Sequence, residues 1–137
     1  MSTEEHYEQL LAFISTHIPT PFTQEDAEGV VIFTGGEPGE VVVRLTDRAV
    51  IVEEYAMQWE TPDMPVLRPR RVGMVRWRRL PESQLMSVVG DLIKGAREKR
   101  RARYRACFFC GKTSPPEWMA DETACRSCAE YEPSVVH

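Results

Sequence analysis

The chain has 137 residues, a net charge of −4 and only four cysteines, which is enough for one compact core and a small appended module. Its apolar fraction of 42% is that of a folding domain, and it contains no run of about 18 apolar residues that would suggest a membrane span. The acidic opening MSTEEHYEQLLAF is unlike a basic and then strongly apolar leader or an Arg-rich transit peptide, so the cytoplasm is the expected compartment. Thiols stay reduced there, and paired cysteines read as metal ligands or redox centres before disulfides.

The small net charge hides a segregation. Residues 1–67 carry 13 acidic and 2 basic side chains, residues 68–112 carry 3 acidic and 14 basic, and residues 113–137 carry 5 acidic and 1 basic. A basic block inside an acidic chain either binds an external polyanion or lies against its own acidic half.

In chain order, STEEHYEQLLAFISTHIP predicts a helix. Ser2 and Glu5 fit a capping box, Tyr7, Leu10, Leu11, Ile14 and Ile18 recur on one stripe, and Pro19 and Pro21 stop it. TQEDAEG reads as a polar connection. The period then changes. VVIF, EVVVRL and AVIVEEYAM are β-branched runs separated by TGGEPGE and TDR, which predicts a three-stranded antiparallel meander. TPDMPVLRP, with Pro62, Pro65 and Pro69, reads as an extended loop, and RVGMVRW as a returning fourth strand. A second helix is expected from LPESQLMSVVGDLIKGAREKRRARYR. Pro81 is expected at its first position, and Leu85, Val88, Val89, Leu92, Ile93 and Ala96 form its apolar stripe. Beyond Ala96 the sequence is basic, so the last turns are expected to project past the core. Helix, three or four antiparallel strands and helix make an α+β domain over residues 1–104.

Residues 105–137 are too few for an independent core and need a metal, disulfides or a partner. All four cysteines lie here, as Cys107/Cys110 and Cys125/Cys128, with fourteen residues between the pairs. Each C-x-x-C turn can aim two sulfurs at one ion. Gly111 follows the first pair, where a knuckle commonly needs a positive φ or a close backbone approach. Four thiolates at about 2.3 Å close a tetrahedral zinc shell and leave no position for water or substrate, so the expected cofactor is one structural Zn2+. An iron centre uses the same ligands, and a thiol switch would use the same sulfurs and release the metal on oxidation. The segment CFFCGK followed by CRSC resembles the knuckles of treble-clef and zinc-ribbon fingers and is similar to the N-terminal zinc-binding domain of ClpX unfoldases. The resemblance covers the last quarter of the chain and implies a metal-held fold used for protein or nucleic-acid contacts. The spacing between the pairs is shorter than in that domain, and Pro133 leaves little room for a closing helix, so a ribbon-like or truncated finger is expected.

Between the pairs, Pro116 suits a single helical turn. Trp118 either plugs the module or docks it on the main domain, or else stands out as an anchor for a partner. Arg97, Arg100, Arg101, Arg103 and Arg105 form a basic run leading into the cysteines. Together with Trp77, Tyr104, Phe108 and Phe109 they offer phosphate contacts and stacking surfaces. TGGEPGE lacks the ending of a phosphate loop. Glu53 and Glu54 point to opposite faces of a strand, and His6 and His17 have no ligand pattern around them. No nucleophile elbow or zinc-protease motif is present. The sequence therefore reads as a non-catalytic zinc-binding protein that acts as a protein-interaction or adaptor module. The alternative is a nucleic-acid-binding or regulatory protein using the basic helix 94–105 and the cysteine module.

Overall fold

Residues 3–61, 64–120 and 123–131 are described by the computed structural model of the chain. The elements run α1 (Thr3–His17), β1 (Phe22–Ala27), β2 (Val30–Gly35), β3 (Val41–Leu45), β4 (Val50–Thr61), β5 (Met64–Val75), a 3-10 turn (Trp77–Arg79) and α2 (Glu82–Arg101). After these come β6 (Arg105–Ala106), β7 (Thr113–Ser114), a second 3-10 turn (Pro116–Trp118) and α3 (Arg126–Tyr131). The chain divides into two compact units, Met1–Ala56 with Arg68–Arg100, and Met57–Leu67 with Arg101–His137. Among the described residues no helix is long and apolar enough to cross a membrane. The fold is mixed α+β, as the pattern of runs predicts.

In the first unit, α1 buries Leu10 and Ile14, and Ile18 continues the stripe just past the helix end. The expected Ser2 cap lies outside the described residues. The strands form one sheet in the order β1-β2-β3-β4-β5, each turning back on the last through a short connection, the simple route for antiparallel neighbours. The register places Val31 opposite Leu45, Phe33 opposite Val43, Val43 opposite Val52 and Leu45 opposite Val50. Cross-strand partners share a face, so these residues make one continuous apolar surface. Leu85, Val89, Ile93 and Ala96 of α2 join it, together with Leu10, Ile14 and Ile18. Val88, read as part of the α2 stripe, is exposed. Pro81 sits one position before the expected one. Its carbonyl accepts the Leu85 N–H at 2.9 Å, the first bond of α2.

Two segments read as connections are strands. TQEDA lies within β1, paired from Phe22↔Gly35 to Ala27↔Val30. The link to β2 is the two-residue turn Glu28–Gly29, with φ of 51° and 81°, the positive-φ pair that matches the twist of a tight hairpin. A polar sequence suffices there because β1 is an edge strand, exposed along nearly its whole length. The proline-rich segment likewise belongs to the ends of β4 and to β5, Pro62 lying outside the described residues. Pro65 and Pro69 are tolerated because β5 is the other edge, where a missing N–H need not break a ladder.

The two adjacent glutamates of β4 are each paired with an arginine. Glu53 and Glu54 do face opposite ways. Glu53 accepts from Arg44 Nε, while Glu54 is buried with Arg70 Nε 3.9 Å from its Oε1. His6 packs edge-on against Trp77 (5.7 Å), and His17 stacks on Phe13 (3.9 Å) and donates from Nδ1 to the Phe13 carbonyl.

Candidate metal centre

The second unit is built around its cysteines. β6 and β7 pair Arg105 with Ser114 and Ala106 with Thr113, which pins the two ends of the loop that holds Cys107 and Cys110. Inside that loop the Gly111 N–H donates to the Cys107 carbonyl and the Cys107 N–H to the Lys112 carbonyl, both at 2.9 Å. Gly111 adopts φ +74°, as its place after the pair predicts. The chain then makes the expected single turn at Pro116–Trp118. Met119 and Cys125 form an antiparallel bridge, and the Ala120 N–H donates to the Ala124 carbonyl at 2.9 Å. That bridge returns Cys125 to the first pair, and α3 carries Cys128 one turn further on. The helix has six residues, a short closing element of the size the truncated-finger reading allows.

The sulfurs of Cys107, Cys110, Cys125 and Cys128 all lie within 4.8 Å of one another, and Cys110 Sγ is 3.9 Å from Cys125 Sγ. A tetrahedron with metal–sulfur bonds of about 2.3 Å has edges of about 3.8 Å. The donor set and its spacing therefore fit one tetrahedral ion, and the four residues could hold a metal. None of the four is in a disulfide.

Their hydrogen bonding points the same way. The Cys125 N–H donates to Cys107 Sγ at 3.4 Å and, with the N–H groups of Cys110 and Phe109, holds the Cys107 thiol down at about 6. Such donors to sulfur stabilise a thiolate. Cys128 is instead pushed up to about 12, first by its hydrogen bond with Cys125 and then by burial and the neighbouring sulfurs. Four sulfurs this close repel when ionised, so a full set of thiolates calls for a cation between them.

The other candidate residues are not gathered in one place. Arg100, expected on the projecting basic end of α2, is 1% exposed, and its Nε donates to the Gly39 carbonyl at 3.1 Å. Arg97 Nε donates at 2.8 Å to Oε2 of the buried Glu40. The basic helix is thus partly turned onto its own acidic segment, the second of the two arrangements that the charge segregation leaves open, and Arg100 does not project past the core as expected. The apolar stripe does not end at Ala96. It continues on the same face as a buried cation with an internal acceptor, a substitution that periodicity of apolar residues alone does not register. Trp77, weighed as a stacking surface, is a core residue whose Nε1 donates to the Thr46 carbonyl. Arg101 and Arg105 are exposed and Arg103 is half-buried.

The aromatic residues of the cysteine unit are placed otherwise. Phe108, inside the first knuckle, is 82% exposed, Phe109 48% and Trp118 43%. Phe108 and Phe109 meet edge to face at 5.6 Å. Lys112 and Arg126 flank the same cysteines. Sequence reasoning gave Arg126 no role and Lys112 only a place in the knuckle resemblance, although Arg126 directly follows Cys125 and Lys112 lies two positions past Cys110. Searches against known protein families, curated proteins and solved structures found no match to this chain.

Proposed function

We propose that the cysteine unit binds one structural zinc ion and serves as a protein-interaction module, and that the chain acts as a non-catalytic adaptor. The observation that carries this reading is the convergence of Cys107, Cys110, Cys125 and Cys128 within 4.8 Å. Zinc suits four thiolates in a closed tetrahedral shell and has no redox chemistry of its own. A shell filled by protein ligands supports a structural ion over a catalytic one, because no coordination position is left for water. Burial in the unit supports the same reading. Its apolar cluster is Cys107, Met119 and Cys125, with Cys128 against it, too little to order the segment without an ion.

Support for a protein partner comes from Phe108, Phe109 and Trp118. Large aromatics held out in solvent by a rigid knuckle have the character of interface anchors. The internal pairing of Arg97 and Arg100 weighs against the basic helix as a continuous track for a nucleic-acid backbone.

The test has two arms. Elemental analysis of purified protein should give one zinc per chain and no iron. A coloured, iron-containing product would replace zinc with an iron tetrathiolate. Crosslinking in cell extract should then yield a defined partner with the zinc-loaded protein and lose it with Phe108→Ala, metal content unchanged. Equal recovery by both proteins would refute the anchor role.

A further inference from the structure

A cleft of about 320 Å³ opens onto the sulfur cluster, with Cys110, Cys125 and Cys128 at its floor and Lys112, Trp118 and Arg126 among its walls. Its walls differ in chemistry. Trp118 contributes a half-exposed indole, and Lys112 Nζ lies 5.9 Å over that ring. Arg126 is exposed inside the second C-x-x-C pair. Neither cation has a carboxylate partner among the described residues. Resting on the adaptor reading above, we infer that this cleft recognises an acidic side chain next to a large apolar one in a peptide segment of the partner, with Lys112 and Arg126 taking the carboxylate and Trp118 the apolar group.

Charge and size select that occupant. A zinc tetrathiolate would carry two negative charges beside Lys112 and Arg126, so the cleft has no net positive field, and an acid gains there only by pairing directly with one of the two cations, which a single carboxylate can do. A nucleic-acid backbone is held by a track of many cations along a groove, and two cations beside a dianionic centre do not supply one. A single carboxylate needs only one well-placed guanidinium or ammonium group. The volume lies at the low end of small ligand sites, which suits one or two side chains rather than a stacked run of bases. The aromatic wall is already used as a cation–π face by Lys112, which keeps the ammonium near the mouth without burying it. The two cations are also held by the metal knuckles: Lys112 follows the first pair and Arg126 lies within the second, so the ion that orders the cysteines also fixes the spacing of the recognition groups.

The experiment uses the full zinc-loaded chain and three labelled probes, read by fluorescence anisotropy. These are short peptides with Asp flanking a central Leu or Phe, the same peptides with Asn for Asp, and a short oligothymidylate. The Asp peptides should bind at least about tenfold more tightly than the Asn peptides. The double variant Lys112→Glu with Arg126→Glu, checked for one zinc per chain, should lose that preference. Trp118→Ala should weaken Asp and Asn peptides alike. Equal binding of Asp and Asn peptides, no binding of any peptide, or displacement of the peptides by the oligothymidylate would each overturn the assignment. If apolar peptides bind whatever their charge and Phe108→Ala abolishes that binding, the adaptor reading stands and the cleft assignment alone falls. If the purified chain lacks zinc, the adaptor reading falls first and takes the cleft with it.

Discussion

Among the described residues, the sheet-and-helix unit closes one core of sixteen buried residues drawn from α1, four strands, α2 and their flanking turns, while the cysteine unit has a cluster of only Cys107, Met119 and Cys125. In the first, water is excluded by apolar area, and each buried side chain adds about 1.5–3 kcal/mol before entropy is counted. In the second that term is small, and order depends on bringing four mutually repelling sulfurs to one point. If the cysteines hold the proposed ion, the difference teaches that the two units should fail under different insults: loss of packing for one, loss of the ion for the other.

The largest expected effect follows from removing a sulfur. Cys125→Ser takes away the sulfur that the Met119–Cys125 bridge delivers, while the backbone N–H of that position next to Cys107 Sγ is kept. Structural zinc supplies on the order of 10 kcal/mol or more of folding free energy to such a segment. Zinc content should fall well below one per chain, and amide resonances of residues 101–131 should collapse toward random-coil positions. Those of β2 and β3 should stay dispersed. Chelation of the wild-type protein should reproduce this pattern. Collapse of the whole spectrum would refute the separation of forces.

Phe33→Ala is the converse. Phe33 is fully buried at the centre of the sheet, opposite Val43 and beside Phe22. Truncating a buried Phe costs about 3–5 kcal/mol, from lost transfer energy and the cavity left behind. Thermal unfolding followed at the sheet should shift down strongly while zinc stoichiometry stays at one. A smaller effect is expected from Arg100→Met. The side chain is as long, but the half-buried Gly39 carbonyl loses the charged Nε donor 3.1 Å away, and a hydrogen bond to a charged group contributes about 1.5–3 kcal/mol. If Arg100→Met instead stabilises the protein in denaturant titration, desolvation of the guanidinium outweighs its bonds.

What the sequence made legible divides along the same line. Cys107, Cys110, Cys125 and Cys128 are readable because ligand spacing is a local property, and Gly111 because the turn that follows the pair demands its φ. The helices and β2 to β4 are readable because apolar period reports a buried face. β1 is not, since an edge strand with only its ladder to satisfy has no apolar signature; its one local clue is the Glu28–Gly29 pair before VVIF. The second half of β5 is readable in RVGMVRW, while its first half is hidden by Pro65 and Pro69, which argue against a central strand and are silent about an edge one. Arg100 is the instructive miss. A charged residue on the continuation of an apolar stripe reads as the stripe's end, and only the tertiary fold reveals Gly39 waiting with an acceptor.

The smallest predicted effect isolates conformation from contact. Gly111 has φ +74°, and a Cβ added there would meet nothing within 4 Å. Gly111→Ala therefore creates no clash and removes no packing. What remains is the cost of holding an L-residue in the left-handed region, about 1–2 kcal/mol. The knuckle's two closing bonds, Gly111 N–H to Cys107 and Cys107 N–H to Lys112, depend on that conformation, so the cost should appear in the free energy of assembling the centre. Zinc affinity measured by competition with a chelator should fall by about tenfold, with stoichiometry still one and the sheet's unfolding midpoint unmoved. Gly111→Asn, whose side chain tolerates positive φ, should recover part of the loss. If Ala and Asn weaken zinc equally, the turn is set by something other than backbone preference. If neither weakens it, the first knuckle can close without the left-handed residue, and the local rule that singled out Gly111 does not govern this site.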